Sequence, residues 1–364
     1  MMIGPPARRC TYGLARASHR APAFAWALLL LLPVLLLPAS GCTPGSVAER
    51  SDDSAAGRNP EPAELRVAFT RNLTMAPVFI AEAEGFFEEQ GIDAELVRIQ
   101  SPATSMPALL QGQLDVLPGA LSPAFFNAVT RGGRARLVAD KGAFDATKCA
   151  HQALVVSTAL LERDPDPAVL PRVSTAREPF LQFFVERALI ARGLDPADSM
   201  LFHVPQAAEY DALRAGRLDA AMVGEPWLSR IKKGGRGVVW SSTNELMDGY
   251  QYSVYLFGPR LLDEDPELGE RVAVALLKGA RAYNAGKTPR NLEILSAALG
   301  YDPDELREIC WPPMRHDGLV AAAGIRDFQE WAVSRGDLDA FVPHEDYWDP
   351  RFINHALRVL DGGR

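Results

Sequence analysis

The sequence has few of the residues that build metal sites and nucleophilic active sites. It contains 4 cysteines and 6 histidines in 364 residues. No Cys-x-x-Cys pair occurs, and the histidines are not spaced as zinc ligands. The Gly-x-Ser-x-Gly turn that carries the nucleophile of many hydrolases is also absent. These absences argue against a metalloenzyme or a serine hydrolase, and we predict no catalytic residue, no metal and no cofactor.

The sequence also lacks an excess of positive charge. Lys and Arg number 38 against 46 Asp and Glu, and four of the arginines lie in the first 41 residues, which contain no acidic residue. The remainder therefore carries 34 − 46 = −12 charges. Nucleic-acid binding needs a basic surface, so we expect no nucleic-acid partner. A small anion is still a possible ligand, because one pocket can be locally positive or rich in amides.

Only one long hydrophobic run occurs, at 24–37, and it follows the arginine-rich start. Small residues then precede Cys42, as in the signal peptides of bacterial lipoproteins. We predict that residues 1–41 are a signal peptide and that Cys42 is lipidated. The alternative is a plain transmembrane anchor at 21–39. Both interpretations place the folded body outside the cytoplasm, on the periplasmic side of a bacterial membrane.

Strand and helix patterns alternate after a polar, flexible tether at 42–63. This alternation predicts an α/β fold with mostly parallel sheets. The predicted strands are 64–69, 94–99, 116–117, 136–139, 152–157, 172–174, 201–204, 220–223, 238–240 and 252–257. The predicted helices are 75–87, 104–111, 123–131, 179–192, 267–284, 291–299, 303–310, 320–335 and 352–360.

One local pattern occurs twice. The stretch 211–227, DALRAGRLDAAMVGEPW, is typical of a helix end, a glycine stop, a buried strand and a polar turn. The stretch 108–119, ALLQGQLDVLPG, repeats its first part, with Gly112 and Asp115 at the positions of Gly216 and Asp219. Two such units predict two similar lobes with a cleft between them.

Several segments together resemble the ABC-transporter solute-binding proteins that bind nitrate, sulfonate, taurine and thiamine-pyrimidine precursors. They are 65–73, APVFIAEAEGFF at 76–87, 91–93, 110–115, 216–227 and a tail at 311–336. The resemblance covers residues 64 to 360. It implies the two-lobed periplasmic-binding-protein fold of the second type, with the ligand cleft between the lobes. We expect lobe 1 at 64–155 plus 257–364 and lobe 2 at 156–256, with a hinge at crossings near 155 and 257.

The same resemblance implies where the ligand contacts lie, in loops that lead into helices and offer free backbone N–H groups. The expected contacts of both lobes are Asn72, Leu73, Met75, Ser101, Thr104, Ser122, Ser174, Thr175, Glu225 and Trp227. The alternatives are a helix cap for Asn72 and turn roles for Ser101, Thr104 and Ser122. Glu225 either forms a salt bridge with an arginine or faces the ligand or the hinge, and Trp227 either stacks on a planar ligand or packs between lobes. The pair Arg177-Glu178 departs from the Ser-rich turn usual in the family.

These observations predict a lipid-anchored, monomeric solute-binding protein that delivers a small organic or anionic solute to an ABC permease and its ATPase. The ligand is a sulfonate, a nitrate-like anion or a planar, pyrimidine-like molecule. The alternative is an enzyme on the same fold, similar to a thiamine-pyrimidine synthase or a dehydratase. Cys149 and Cys310 either form a disulfide, which an exported compartment permits, or are two separately buried thiols.

Overall fold

The computed structural model describes residues 61–176 and 178–362. The predicted signal peptide, the lipidation site Cys42 and the tether up to residue 60 lie outside the described residues. Within the part described, no helix is both long and apolar enough to cross a bilayer.

Within the described residues, ten strands form two sheets of five strands each. They are β1 (Ala63–Phe69), β2 (Ile92–Arg98), β3 (Val116–Ala120), β4 (Arg136–Ala143), β5 (Gln152–Ser157), β6 (Arg172–Ser174), β7 (Met200–Phe202), β8 (Ala220–Gly224), β9 (Gly237–Ser242) and β10 (Gln251–Phe257). The first sheet has the order β2-β1-β3-β10-β4 and the second the order β7-β6-β8-β5-β9. Only β10 in the first sheet and β5 in the second run antiparallel to their neighbours. The predicted α/β fold with two lobes is thereby confirmed.

Helices cover these sheets. They are α1 (Ala76–Ala83), α2 (Pro102–Leu110), α3 (Pro123–Thr130), α4 (Thr158–Leu161), α5 (Pro179–Ala191), α6 (Gln206–Arg214), α7 (Trp227–Lys233), α8 (Thr243–Leu246), α9 (Pro266–Asn284), α10 (Pro289–Leu299), α11 (Pro303–Glu308), α12 (Ala322–Ser334), α13 (His344–Tyr347) and α14 (Arg351–Asp361). Short 3₁₀ turns at Leu73–Met75, Glu88–Gln90 and Pro196–Asp198 and a π turn at Arg260–Glu264 complete the chain.

The repeated pattern found in the sequence has the same structure in both lobes. Gly112 and Gly216 end α2 and α6 with positive φ angles of 67° and 64°, where a side chain would be strained. The buried Asp115 and Asp219 follow them. Each aspartate accepts a 2.8 Å hydrogen bond from the backbone N–H of an arginine in a neighbouring strand, Arg66 in β1 and Arg172 in β6. An equivalent aspartate therefore links the end of a helix to the sheet in each lobe.

The chain crosses between the sheets at 144–151 and at 243–250. The crossings predicted near 155 and 257 are wrong, because these positions lie inside β5 and β10, where the ladder hydrogen bonds continue. Periodicity alone does not distinguish the first strand of a new sheet from the last strand of the old one. The predicted helix at 75–87 also ends early, at Ala83, and its last residues form turns.

The cores of the two lobes join around a cluster of aromatic rings. Phe180 and Phe183 of α5 contact Phe328 of α12 at ring-centroid distances of 5.5 and 5.8 Å. Trp331 continues this contact, and its Nε1 donates to Glu186 on α5 at 2.7 Å. A disulfide between Cys149 and Cys310 links the first crossing to the segment after α11. Of the two alternatives left open for these cysteines, the structure has the disulfide.

Candidate functional site

A cavity of about 240 Å³ lies where the carboxyl ends of the strands of both sheets face each other. This is the edge at which open α/β sheets bind ligands. Its lining residues from the first sheet and the segments next to it are Thr70, Asn72, Leu73, Thr74, Gln100, Pro102, Pro118, Gly119, Ala120, Lys141, Tyr252, Ser253 and Pro312. From the first crossing and the second lobe come His151, Gln152, Ala176, Glu178, Phe180, Leu181, Gln206, Gly224 and Glu225.

The turn after β1 forms one wall of the cavity. Asn72 caps the 3₁₀ turn that follows, because its Oδ1 accepts hydrogen bonds from the Thr74 N–H at 3.2 Å and from Thr74 Oγ1 at 2.7 Å. Its Nδ2 donates to Thr70 Oγ1 at 2.9 Å. The ammonium of Lys141, which is 2% exposed, donates to the carbonyl oxygen and to Oγ1 of Thr74 at 3.2 and 3.0 Å. The side chain of Lys141 therefore holds the turn that leads into α1.

The turn after β6 forms the opposite wall and carries a carboxylate. Glu178 is the N-cap residue of α5, but its side chain makes no capping hydrogen bond. Beneath this turn Ser174 Oγ donates to Glu209 Oε1 at 2.7 Å, and burial raises the pKa of Glu209 to about 7. The second lobe therefore presents the carboxylate of Glu178 on this wall, where the first lobe presents a lysine.

Burial weakens the positive charge that faces the cavity. Loss of hydration lowers the pKa of Lys141 to about 7, although Glu178 and Asp140 oppose this change. Glu178 on the opposite wall is exposed. Lys141 would regain stabilisation from a negative charge placed beside it, and the cavity is the space in which a ligand can supply that charge.

Uncharged polar groups with spare hydrogen-bonding capacity complete the lining. The two ring nitrogens of His151, Oε1 of Gln152 and the hydroxyl of Tyr252 are buried and have no hydrogen-bond partner among the described residues. Burial lowers the pKa of His151 to about 3, so the ring is neutral. Tyr252 lies close against Gly142, where a Cβ atom would stand 2.3 Å from the tyrosine ring, so only glycine fits there.

Glu225 lies at the edge of the cavity and joins the two lobes. Its Oε1 accepts from Ser229 Oγ at 2.8 Å and from the backbone N–H of Cys310 at 3.2 Å, and its Oε2 accepts from the Ser229 N–H at 3.1 Å. Nearby, Arg230 of α7 pairs with Glu305 of α11 at 2.6 Å. Glu225 therefore lines the cavity and also contacts the segment after α11, and its role toward a ligand or a hinge stays a prediction.

Three of the predicted contacts, Asn72, Leu73 and Glu225, line the cavity, and the other seven do not. Trp227 is the first residue of α7 and packs against an apolar cluster of the second lobe that includes Leu213 and Ile231, with the guanidinium of Arg230 4.5 Å from the centre of its ring. The remaining six are Met75 in the first core, Ser101 and Ser122 at the starts of α2 and α3, Thr104 bonded to the Ser101 carbonyl, Ser174 bonded to Glu209, and Thr175, buried after β6. No ligand contact is tested for any of the ten, so the binding roles stay predictions.

Sequence reasoning missed the charged and aromatic part of the lining. Lys141, His151, Glu178 and Tyr252 were not predicted. Glu178 gave a signal, because it breaks the Ser-rich pattern of the turn before α5. Lys141 gave a weaker one, as a lysine two residues after the predicted end of a strand that in fact continues to Ala143, four residues further than predicted.

Solved structures with this fold are solute-binding proteins in several cases. The chain is similar to the ligand-binding component of an ABC-type import system from Staphylococcus aureus, with zinc bound (TM-score 0.65, 13% identity, 81% of this chain and 99% of that chain covered). It is also similar to the periplasmic aliphatic sulphonate binding protein SsuA from Escherichia coli, with a TM-score of 0.64 and 16% identity over 79% of this chain and 93% of that chain. A third similar structure is the periplasmic nitrate-binding protein NrtA from Synechocystis, with a TM-score of 0.62 and 15% identity over 84% of this chain and 90% of that chain. At these identities the likeness establishes the fold.

The fold is not restricted to binding proteins. The desulfurization enzyme DSZB matches with a TM-score of 0.56 and 16% identity over 82% of this chain and 99% of that chain. Among curated protein sequences, none matches this chain.

The profile of the NMT1-like family matches residues 58–142 and 138–298. The matched segments contain both sheets and nearly all of the cavity lining described above. Because they span more than half of the chain, the protein belongs to the NMT1-like family.

Proposed function

We propose that this protein is the extracytoplasmic solute-binding component of an ABC import system and holds a small organic or anionic solute between its lobes. The observation that carries this proposal is the cavity to which both lobes contribute polar side chains. Its volume of about 240 Å³ lies just below the roughly 300–1,000 Å³ of drug-sized sites, which suits a small metabolite. The similar sulphonate- and nitrate-binding proteins support the same class of ligand.

Movement of the lobes would admit and release the solute. The proposed lobe 2 is the segment that carries β5 to β9, and the proposed hinges are 144–151 and 243–250. Closure by hinge rotation brings both walls onto a ligand, as in other two-lobed binding proteins. Permease and ATPase subunits are the proposed partners, and the binding component itself acts as a monomer. The proposed anchor is a lipid on Cys42, supported by the hydrophobic run and small residues before it.

The second candidate is an enzyme on this fold, and one observation favours it. Lys141 lies in the cavity with a pKa of about 7, a value suited to proton transfer near neutral pH. The structural likeness to the desulfurization enzyme is consistent with this candidate. A binding protein returns its ligand unchanged, whereas an enzyme does not.

One experiment separates the two candidates. Native mass spectrometry of the protein purified from membranes should show a mature chain that begins at a lipid-modified Cys42 and a small molecule of one to one stoichiometry. The recovered molecule, added back to ligand-free protein, should raise the melting temperature and remain chemically unchanged over hours. Conversion of that molecule into product would reject the binding-protein proposal in favour of the enzyme.

A further inference from the structure

The disulfide between Cys149 and Cys310 has one exposed end. Cys149 lies in the first crossing, at 144–151, and is exposed, whereas Cys310 is 7% exposed. Both line a surface groove of about 640 Å³, which is formed by α7, β9 and the segment after α11. The groove is separate from the cleft cavity, and only Glu225 borders both. A thiol in solvent can therefore reach Cys149 through the groove while both lobes stay folded.

The charges of this groove favour a thiolate. Lys232 lines it and forms no ion pair with any described residue. The ammonium of Lys287 donates to the carbonyl oxygen of Ile309 at 2.7 Å, directly before the buried cysteine. The two carboxylates of the groove, Glu225 and Glu308, each have a hydrogen-bond partner of their own. Because nearby positive charge stabilises a thiolate, both an attacking thiol and a departing cysteine are activated here.

The disulfide joins the parts of the chain that the proposed lobe movement would displace. The carbonyl oxygen of Cys149 accepts a 2.8 Å hydrogen bond from Asn244 Nδ2 in α8, so the first crossing is tied to the second, at 243–250. The backbone N–H of Cys310 donates to Glu225 Oε1 at 3.2 Å, at the border of the solute cavity. Cleavage of the disulfide would release the first crossing from the segment after α11.

From this geometry we infer that Cys149 is a site of thiol–disulfide exchange, and that its bond to Cys310 controls how freely the lobes move about their crossings. The inference rests on the hinges proposed above and not on the identity of the solute. In the oxidised protein the bond restrains the first crossing. In the reduced protein the crossing moves more freely, and the cleft opens more readily.

The exchange proceeds in two balanced steps with a dithiol as the reductant. One thiolate of the dithiol attacks the exposed sulfur of Cys149 and forms a new S–S bond, while the sulfur of Cys310 leaves with the electron pair and takes up a proton. The second thiolate of the dithiol then displaces the sulfur of Cys149, which is protonated in turn. Two electrons pass to the protein, which now carries two thiols, and the dithiol becomes a disulfide.

Dithiothreitol is the probe of this exchange, added to the full protein without denaturant. Alkylation of Cys149 and Cys310, followed by mass spectrometry of their peptides, measures the rate of reduction. This rate should rise in proportion to the dithiothreitol concentration, and it should exceed the rate of global unfolding by roughly a hundredfold or more. A rate that is independent of dithiothreitol and equal to the unfolding rate would overturn the inference, because the bond would then open only in the unfolded chain.

The Lys232→Gln substitution tests the groove as the route of attack. It should slow reduction roughly threefold, because it removes a cation beside the path of the thiolate. The matched control is Arg217→Gln, at an exposed cation of the second lobe that lies outside the groove and forms no ion pair with any described residue. Equal rates of reduction in the two variants would overturn the assignment of the groove as the site of exchange.

Hydrogen exchange tests the control of the crossings. In the double variant Cys149→Ser with Cys310→Ser, and in the protein reduced by dithiothreitol, the amides of 144–151 and 243–250 should exchange roughly tenfold faster than in the oxidised protein. Asp219→Ala controls for lost stability, because it keeps the disulfide and should accelerate exchange in the second lobe rather than at the crossings.

Crossings that exchange no faster than in the oxidised protein, or no faster than in Asp219→Ala, would overturn the inference. The solute-binding proposal would be unaffected by that result, because the molecule recovered by native mass spectrometry decides it separately.

Discussion

The two lobes are built on one plan and differ at the positions that face the cleft. Their sheets have equivalent strand orders, each with one antiparallel strand in fourth place. Asp115 and Asp219 lie 219 − 115 = 104 residues apart and make the same contact to a strand backbone. The scaffold positions therefore carry the same residue types. The cleft positions do not.

The turns that open onto the cavity show the difference most clearly. Arg66 and Arg172 are equivalent and lie 172 − 66 = 106 residues apart, and the same offset relates Asn72 to Glu178. Both residues precede the first helical turn after their strand. Asn72 caps that turn with its side chain, whereas the carboxylate of Glu178 makes no capping hydrogen bond to the start of α5. The second lobe lacks this cap, commonly worth about 1 kcal/mol, at a position that lines the cavity.

The same contrast continues one layer deeper. Position 105 in α2 is equivalent to position 209 in α6 by the 104-residue offset, and it is a serine in the first lobe and a glutamate in the second. Glu209 is fully buried and bonds to Ser174. The acidic character of the second lobe therefore extends from the cavity wall to the residues that support it.

The largest expected effect breaks the shared part of the plan. Asp115→Ala should lower the free energy of unfolding by about 3–5 kcal/mol, because it leaves two arginines, Arg66 and Arg260, and a strand N–H without their carboxylate. Asp219→Ala should cost less, about 2–3 kcal/mol, because among the described residues only Arg172 pairs with it, and 40% of the Arg172 side chain is exposed.

Urea unfolding of both variants measures this difference. Asp115→Asn and Asp219→Asn are the matched controls, because an amide oxygen can still accept the strand N–H while the charge is lost. Equal losses for the two alanine variants would contradict the expectation that the first lobe depends more on its aspartate.

The second prediction concerns the covalent link between the lobes. The Cys149–Cys310 disulfide closes a loop with a sequence separation of 161, and all strands of the second sheet lie inside that loop. A cross-link between residues so far apart in sequence restricts the unfolded state. Loss of the disulfide should therefore lower the free energy of unfolding by about 4 kcal/mol. The change is the double variant Cys149→Ser with Cys310→Ser, measured by urea unfolding beside the unaltered protein in reductant. Unchanged unfolding midpoints in both would contradict a stabilising disulfide.

The fold was largely predictable from the sequence because its signals are local. Gly112 and Gly216 mark helix ends through the conformations that glycine alone adopts easily, and a buried strand follows each of them. The pattern that repeats at a fixed offset then indicated two lobes. The prediction failed at the crossings because β5 and β10 pair with strands distant in sequence, and no local pattern reports sheet membership.

The site was less predictable because it depends on how the lobes face each other. Met75 follows two residues that line the cavity, yet the 3₁₀ turn directs it into the core. Lys141 lies two residues beyond the predicted end of its strand, and pairing with β10 extends β4 past it. Tyr252 enters the cavity because β10 returns to the first sheet from the second lobe. These placements follow from tertiary contacts, which a single sequence does not display.

The third prediction uses pH to sharpen the contrast between Ser105 and Glu209. Burial raises the pKa of Glu209 from 4.5 to about 7, so the folded protein binds this proton more tightly than the unfolded chain does. Its contribution to stability is therefore full below pH 4.5, declines as the pH rises, and is lost above about pH 7. The Glu209→Gln substitution keeps the shape of the side chain and removes its ionisable group.

The Glu209→Gln variant should consequently gain stability over the unaltered protein as the pH increases, by up to about 3 kcal/mol at pH 8, since 2.5 pKa units at 1.36 kcal/mol each set the limit. Urea unfolding from pH 5 to 8.5 measures the gain, and the exposed Glu162→Gln should show no such trend. A gain that does not change with pH would mean that the carboxyl of Glu209 is already ionised at low pH in the folded protein. The acidic character of the second lobe would then be compensated by contacts other than Ser174, and the two lobes would differ less than their cleft residues indicate.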